Sequence, residues 1–487
     1  MTPLTVAEKT GYRETSRHSD VLAFIEALKT SRPVFRVESM GRSARGQEMP
    51  VLVFGERPGT PVVLVIANIH AGEVEGKEAL LMLARDLPQT YFEKLTLLFI
   101  PNYNPDGNDL IDPKNRALDL KNLEGQIGPE GGVGTRYTGE GINLNRDYMK
   151  MEAVESRNLS ALVARWRPHL TVDSHTTDGS VHGFALTYDT SHIPCEPSAY
   201  VHATMLPDIS RRLEARTKLK SFFYGNFVDE ADLSKGWATY PHLPRYGSHY
   251  RGLTGRMDIL LETYSYIPFK DRVFTTCEIL KDIFDYTIDH ASEIRRICEQ
   301  GDAARPDPVG IAYGPPEPIG ECEITAWDME SQLARRIPGR EVRTYRMPHR
   351  AGFTPSKQVF RPVGYLIPQE LTRIAEKLAH HQIRVDRVPM SRTFNCDHDR
   401  VETVGKTASP DVGSMKREET VVTITRAAGR ITARAGDFLV PTDQTLGTLA
   451  VYLLEPESDD GLLRWGYLDG MIRPGEILPV VRVRGVV

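Results

Sequence analysis

In the stretch Asn68 to Gly76, NIHAGEVEG, a histidine and an acid stand three residues apart, His70 and Glu73. An imidazole nitrogen and a carboxylate oxygen are both good ligands for a divalent cation such as zinc. Such a pair could fill two positions of a metal site. Spacing alone is weak evidence, because short patterns recur by chance. This one does recur, as His290 and Glu293 in HASE. That copy lies within TTCEILKDIFDYTIDHASEIRRICEQ, where Leu280, Ile283, Phe284, Ile288, Ala291, Ile294 and Ile297 predict one long amphipathic helix with the pair on its surface. The first copy has another setting. It follows the apolar run PVVLVIA and precedes KEALLMLARDL, so it forms a loop between a buried strand and a helix.

The elements that must position these residues alternate along the chain. Helix SDVLAFIEALKT is followed by strands MPVLVFG and PVVLVIA, helix KEALLMLARDL and strand LTLLFIP. Helix AVESRNLSALVARW, strand HLTVDSH, a helix around DISRRLEART, strand MDILLET and the long helix follow. This order predicts an α/β fold with a largely parallel sheet covered on both faces. Ligands in such sheets bind at the carboxyl ends of strands. His70 and Glu73 follow one strand, the turn NPDG (104–107) another and His175 a third, while Glu262 sits in the apolar run of a fourth. Two histidines and an acid suit a catalytic zinc site with one open position. A separate carboxylate must then move the proton of the attacking water, and Glu262 is placed for it. Its flanks Ile259, Leu260 and Leu261 should raise its pKa by desolvation, and a nearby cation should lower it. The Gly-rich loop GVGTRYTGEGINLNRDY carries Arg136, Asn145 and Arg146. Guanidinium groups suit a developing oxyanion or a substrate carboxylate.

The 487 residues are more than one domain usually holds. Residues 1–300 are expected to form the catalytic unit, 301–318 a Pro/Gly-rich linker, and 319–487 a smaller β-rich C-terminal domain. Strands there are expected at EVRTYRM, TVVTITRA, DFLVPT and TLAVYLLE, with one helix at QELTRIAEKLAHH. Net charge is −5 and no basic stripe occurs, so no nucleic-acid partner is expected. No apolar run is long enough to span a bilayer, so no membrane partner is expected either. Five scattered cysteines without CxxC spacing fit thiols in a reducing, cytoplasmic compartment. The N-terminus shows no leader pattern, although a secreted chain with its leader removed stays open at this point, as does homo-oligomer formation.

Taken together, HAGE (70–73), NPDG (104–107), GTRYTGEGINLNR (134–146), DSH (173–175) and LLE (260–262) resemble the zinc carboxypeptidase family, the funnelins. The interval from Arg136 to Asn145 is similar to the regulatory, carboxypeptidase-D-like branch. The resemblance spans about residues 20–300. It implies an α/β/α sandwich with a mixed sheet and one Zn2+ held by His70, Glu73 and His175. It implies Arg136 on the scissile carbonyl, Asn145 and Arg146 on the substrate's terminal carboxylate, and Glu262 as general base and acid. It also implies a mobile substrate-binding tyrosine, and in TYPHLPRYGSHYRG the candidates are Tyr240 and Tyr250, with Tyr246 beside them. Where the family usually has Asp as partner of its first zinc histidine, this chain has Asn143, which should make His70 a less basic ligand. Arg245, Arg251 and Arg256, ahead of Glu262, could meet an acidic substrate side chain or be ion-paired. The function expected is a zinc metallo-exopeptidase acting on a peptide or amide with a free carboxylate. A zinc amidohydrolase acting on an N-acyl amino acid, and a non-catalytic binding module on a peptidase scaffold, are the alternatives.

Overall fold

The computed structural model describes residues 2–32, 34–327, 342–409 and 418–486. Its strands in the first 300 residues are β1 (Phe35–Arg42), β2 (Glu48–Phe54), β3 (Val62–Ala67), β4 (Thr96–Ile100), β5 (Leu170–Thr177), β6 (Leu186–Asp189), β7 (Ser221–Phe223), β8 (Asn226–Phe227), β9 (Trp237–Ala238) and β10 (Met257–Tyr264). Eight of them form one sheet in the order β1-β2-β4-β3-β5-β10-β6-β7. Neighbours β4, β3, β5 and β10 run parallel. β2 is antiparallel to β4, and β6 to β10. The sheet is therefore mixed and largely parallel.

Strand β3 shows why the run VVLVIA is unbroken. Val63, Val65 and Ala67 enter the hydrophobic cluster on one face, Leu64 and Ile66 the cluster on the other. A strand buried on both faces needs apolar residues at every position. Helices Glu75–Asp86 and Phe269–Asp289 cover the first face. Helix Val154–Trp166 covers the second, together with residues from far along the chain such as Leu371, Ile374, Leu378 and Ala450.

Beyond residue 308 the strands are β11 (Val309–Tyr313), β12 (Glu317–Trp327), β13 (Val342–Gly352), β14 (Pro355–Val359), β15 (Gly364–Ile367), β16 (Asp386–Arg387), β17 (Arg392–Ala408), β18 (Glu418–Ala433), β19 (Phe438–Pro441) and β20 (Val481–Val486). Six of them form a sheet ordered β16-β19-β15-β20-β17-β18. This β-rich part shares structure with the first 300 residues. β13 pairs in parallel with β9, through His349↔Trp237 and Arg350↔Ala238. The Tyr250 hydroxyl lies 2.9 Å from His381 Nδ1, and Ser160 Oγ donates to the His380 carbonyl at 2.7 Å.

Two local expectations are corrected. TLAVYLLE was expected as a strand and is the helix Gly447–Leu454. Leu449, Ala450, Val451 and Tyr452 are all fully buried, and a run that is apolar on every side suits a wholly buried helix as well as a strand. The long helix is two, Phe269–Asp289 and Ala291–Ala303, parted at His290, whose φ of −112° and ψ of 22° leave the helical region. Within 301–318, Val309–Tyr313 is a strand paired with β14. Glu341, the first residue of the expected strand EVRTYRM, lies outside the described residues. No described helix is long and apolar enough to cross a membrane.

Candidate active site

The loop after β3 begins at Asn68, whose positive φ of 65° is one that asparagine tolerates better than most residues. Its side-chain amide donates to Asn102 Oδ1 at 2.8 Å and to Asn108 Oδ1 at 3.0 Å, which ties the loop to the end of β4. The Glu73 N–H donates to the His70 carbonyl at 2.9 Å. This turn brings both side chains to one side. The NPDG turn buttresses the loop, since Asn104 Oδ1 accepts from Gly107 N at 3.0 Å and its amide donates to the Ile69 carbonyl at 3.3 Å.

His70 Nδ1 lies 3.0 Å from Glu73 Oε1, and His175 Nδ1 lies 2.9 Å from Glu73 Oε2. All three residues are buried, and each offers a ligand atom within 4.8 Å of the others, the one such group among the described residues. The other ring nitrogens face acceptors. Asn143 Oδ1 is 3.1 Å from His70 Nε2, and Asp173 Oδ1 is 3.3 Å from His175 Nε2. The Asn143 acceptor favours the proton on His70 Nε2 and a lone pair on its Nδ1. Two imidazole Nδ1 atoms and a carboxylate thus converge on one point, a donor set that fits zinc.

Burial and charge act differently on the three groups. Burial, then the Arg136 guanidinium, push His70 down to about 3. Burial also works against charge on His175, but the carboxylates of Asp173 and Glu73 outweigh it and hold its pKa well above the usual value. Burial would raise Glu73, yet the two histidines keep it well below the usual carboxylate range.

Glu262 stands beside His175 in the parallel register of β10 and β5. Burial raises its pKa to about 8, with Glu73 adding and His175, Arg136 and Arg116 opposing. It lines a cavity of about 280 Å³ together with Arg136, Asn145, Arg146, Tyr240 and Tyr246, and His70 and Glu73 open onto the same space. Arg136 Nη1 is 3.5 Å from Glu73 Oε1. Asn145 is held at both ends, its N–H donating to Asn143 Oδ1 at 3.0 Å and its Oδ1 accepting from Gly247 N at 3.1 Å. The Arg146 guanidinium lies 4.4 Å over the Tyr246 ring and donates to the Asn145 carbonyl at 2.8 Å. Asn143 thus accepts from both a metal-ligand histidine and the backbone of the Asn-Arg pair.

Tyr240 reaches the cavity and donates its hydroxyl to the Thr190 carbonyl at 3.2 Å. Tyr250 is corrected. It lies on the far face of helix Gly247–Leu253, packed on Tyr148 and paired with His381, and does not line this cavity. Tyr246, the extended N-cap residue just ahead of that helix, does. None of Arg245, Arg251 and Arg256 lines it either. They pair with Asp460, with Asp173 and Asp258, and with Asp302. His290 is half-buried and Glu293 exposed, 3.5 Å apart at the helix break.

Sequence reasoning missed Arg116 and Tyr224. Arg116 Nη1 lies 3.4 Å from Glu73 Oε1, its Nε donates to Gln126 Oε1 at 2.8 Å, and Tyr224 lines the cavity. Arg116 comes from the irregular loop DPKNRALDL, where no motif marks it. One signal was Gly72, since a Cβ there would lie 2.8 Å from Arg116 Cδ and 3.1 Å from the Gly134 carbonyl. A glycine inside HAGE marks a close approach by another segment.

Residues 21–175 match the family described as zinc carboxypeptidase. Carboxypeptidase 2 of Trichophyton equinum is 22% identical over 489 residues, which cover 91% of this chain and 82% of that protein. Carboxypeptidase Z of Homo sapiens is 29% identical over 163 residues, 30% of this chain and 23% of its own. Among solved structures, a metallo-carboxypeptidase from Burkholderia cenocepacia aligns with 56% of this chain and 69% of its own, at 18% identity and a TM-score of 0.40. The match runs from residue 21 to His175, the last of the three candidate metal ligands, so this segment is that of a zinc carboxypeptidase, a hydrolase.

Proposed function

We propose that the protein is a zinc-dependent exopeptidase that hydrolyses the last peptide bond of a peptide with a free C-terminus. The observation that carries this reading is that Asn145 and Arg146 share one cavity of about 280 Å³ with Glu262 and the His70–Glu73 pair. A carboxylate anchor and a proton-transfer group across a small space select the terminal bond. His70, Glu73 and His175 would hold the zinc. Bound there, zinc supplies Lewis-acid polarisation of the scissile carbonyl and of the attacking water.

The chain's own residues do the rest. Arg146 takes the terminal carboxylate, and its stacking on Tyr246 fixes the plane of the guanidinium. Asn145 assists from the same loop. Arg136, whose guanidinium reaches the cavity, donates to the carbonyl oxygen as negative charge develops there. Glu262 accepts the proton of the water that attacks the carbonyl carbon, then delivers it to the nitrogen as the C–N bond breaks. A burial-raised pKa makes Glu262 a stronger base than an exposed glutamate. Tyr240 and Tyr246 wall the cavity beside the substrate's last side chain.

The test is a substrate panel. The zinc-loaded protein is incubated with short peptides and with N-acylated amino acids, and release of free amino acid is measured. The proposal expects stepwise loss of C-terminal residues from peptides. Turnover confined to N-acyl amino acids would replace it with the amidohydrolase reading, and no turnover with either would favour a binding module.

A further inference from the structure

His70 and His175 differ in what supports them. Behind His70 stands a neutral amide, Asn143, and it already accepts a second hydrogen bond from the Asn145 N–H. Behind His175 stands a carboxylate. Asp173 is 1% exposed, with Oδ1 at an ion-pair distance of 3.3 Å from His175 Nε2, and neither of those two atoms makes a hydrogen bond among the described residues. The other oxygen, Oδ2, accepts from Arg251 Nη2 at 3.0 Å. Arg251 is also buried. It bonds Asp258 through Nε and donates to the Tyr148 hydroxyl at 3.0 Å.

The backbone explains this geometry. Asp173 and His175 are two residues apart on β5, so they point to the same face. β5 lies between β3 and β10, in the middle of the sheet. Arg251 reaches down from the helix Gly247–Leu253 and locks the carboxylate from behind. Two buried carboxylates, Asp173 and Asp258, share this one guanidinium. One negative charge is left over, directed at the histidine. An acid is costly to bury unless a cation offsets it.

We infer that Asp173, clamped by Arg251, is the positioning residue that sets metal affinity, so that the anionic support absent behind His70 is supplied behind His175 instead. A charged acceptor fixes the ring tautomer and makes Nδ1 a better ligand than an amide acceptor does. A plain structural role for the Asp173–Arg251 pair would hold the helix to the sheet and leave metal affinity alone. The inference rests on the zinc reading of the site, and the experiment separates the two.

The full chain, loaded with zinc alone, is titrated with a competing chelator, and the rate of zinc release is followed. Asp173→Asn should weaken zinc binding by about 10- to 100-fold, the range seen for such supporting partners. The double variant Asp173→Asn with Asn143→Asp should recover most of that loss, because a charged acceptor returns behind the other histidine. A purely structural loss would not be rescued from there. Equal zinc retention in Asp173→Asn and the parent overturns the inference, as does a double variant no better than the single one. Should Asp173→Asn not fold, Arg251→Lys keeps the charge and loses the fork. It should release zinc several-fold faster and again be offset by Asn143→Asp, and unchanged release overturns the inference. A parent that binds no zinc contradicts the zinc reading instead.

Discussion

Glu262 meets two opposed requirements, and its cost to the fold can be measured apart from its chemistry. Replacing it by Gln is nearly isosteric and should leave zinc bound. It should lower kcat by about 10²–10⁴-fold, the usual worth of a positioned acid–base group. In chelator-treated protein the same change should stabilise the fold. Burial raises the Glu262 pKa to about 8 from an ordinary 4.5, so the folded state holds a proton that the unfolded chain releases in between. Below pH 4.5 both states are protonated and the penalty vanishes. Stability relative to Glu262→Gln should therefore fall as pH rises, by about 2–3 kcal/mol at pH 7. Denaturant melts of both proteins at pH 4.5 and pH 7 check this, and a gap that does not widen with pH would contradict it. The metal ligands allow a paired comparison. His175→Ala should lose zinc, while His290→Ala, altered at the same kind of pattern on the surface, should keep the parent's content by elemental analysis. Equal zinc in the two variants would contradict the ligand assignment.

Elements decide which residues can meet, and here the sequence was legible in some places and opaque in others. The runs VVLVIA, TLLFI and MDILLETY read as buried strands because each lies in the sheet with helices or strands on both faces. His70, Glu73, His175 and Glu262 could be gathered from strand ends for that reason. TLAVYLLE could not be told from a strand, because complete burial removes the polar side that marks a helix. Tyr250 could not be told from Tyr246, because Tyr246 is the extended residue ahead of the helix Gly247–Leu253 while Tyr250 lies inside it, held by packing against His381, over a hundred residues away. Arg116 had no local mark. Close approach leaves a trace at Gly76, in the first turn of helix Glu75–Asp86. A Cβ there would lie 2.5 Å from Ser174 Oγ and 3.1 Å from Ala67 Cβ. Gly76→Ala should destabilise the protein by about 1–3 kcal/mol through overpacking against β5. Adding Ser174→Ala removes the nearest atom and should return part of the loss, as read from thermal melts. A loss unchanged by Ser174→Ala would mean the helix and strand are not in tight contact there.

At the scale of the whole molecule, the β-rich part after residue 308 completes the core beneath the catalytic sheet. Arg245 is 1% exposed, and its guanidinium lies 3.1 Å from Asp460 and 3.0 Å from Glu419, both fully buried. Removing one partner of such a network leaves an uncompensated buried charge, so Asp460→Asn should cost about 3–5 kcal/mol in denaturant unfolding. Because one hydrophobic cluster contains residues from both parts, that loss should move a single transition seen by every probe. Two separated transitions would mean that the parts are stable independently. The central claim is that a free C-terminal carboxylate, held by Arg146 and Asn145, selects the bond to be cut. The most direct measurement is kcat/KM of the zinc-loaded parent for one peptide with a free C-terminus and for the same peptide amidated, repeated with Arg146→Ala. A charge-assisted contact held in both ground and transition states acts mainly through KM. Amidation should be strongly inhibitory for the parent, Arg146→Ala should raise KM for the free peptide, and the substitution should change little for the amidated one. Equal cleavage of free and amidated peptides by the parent would contradict it.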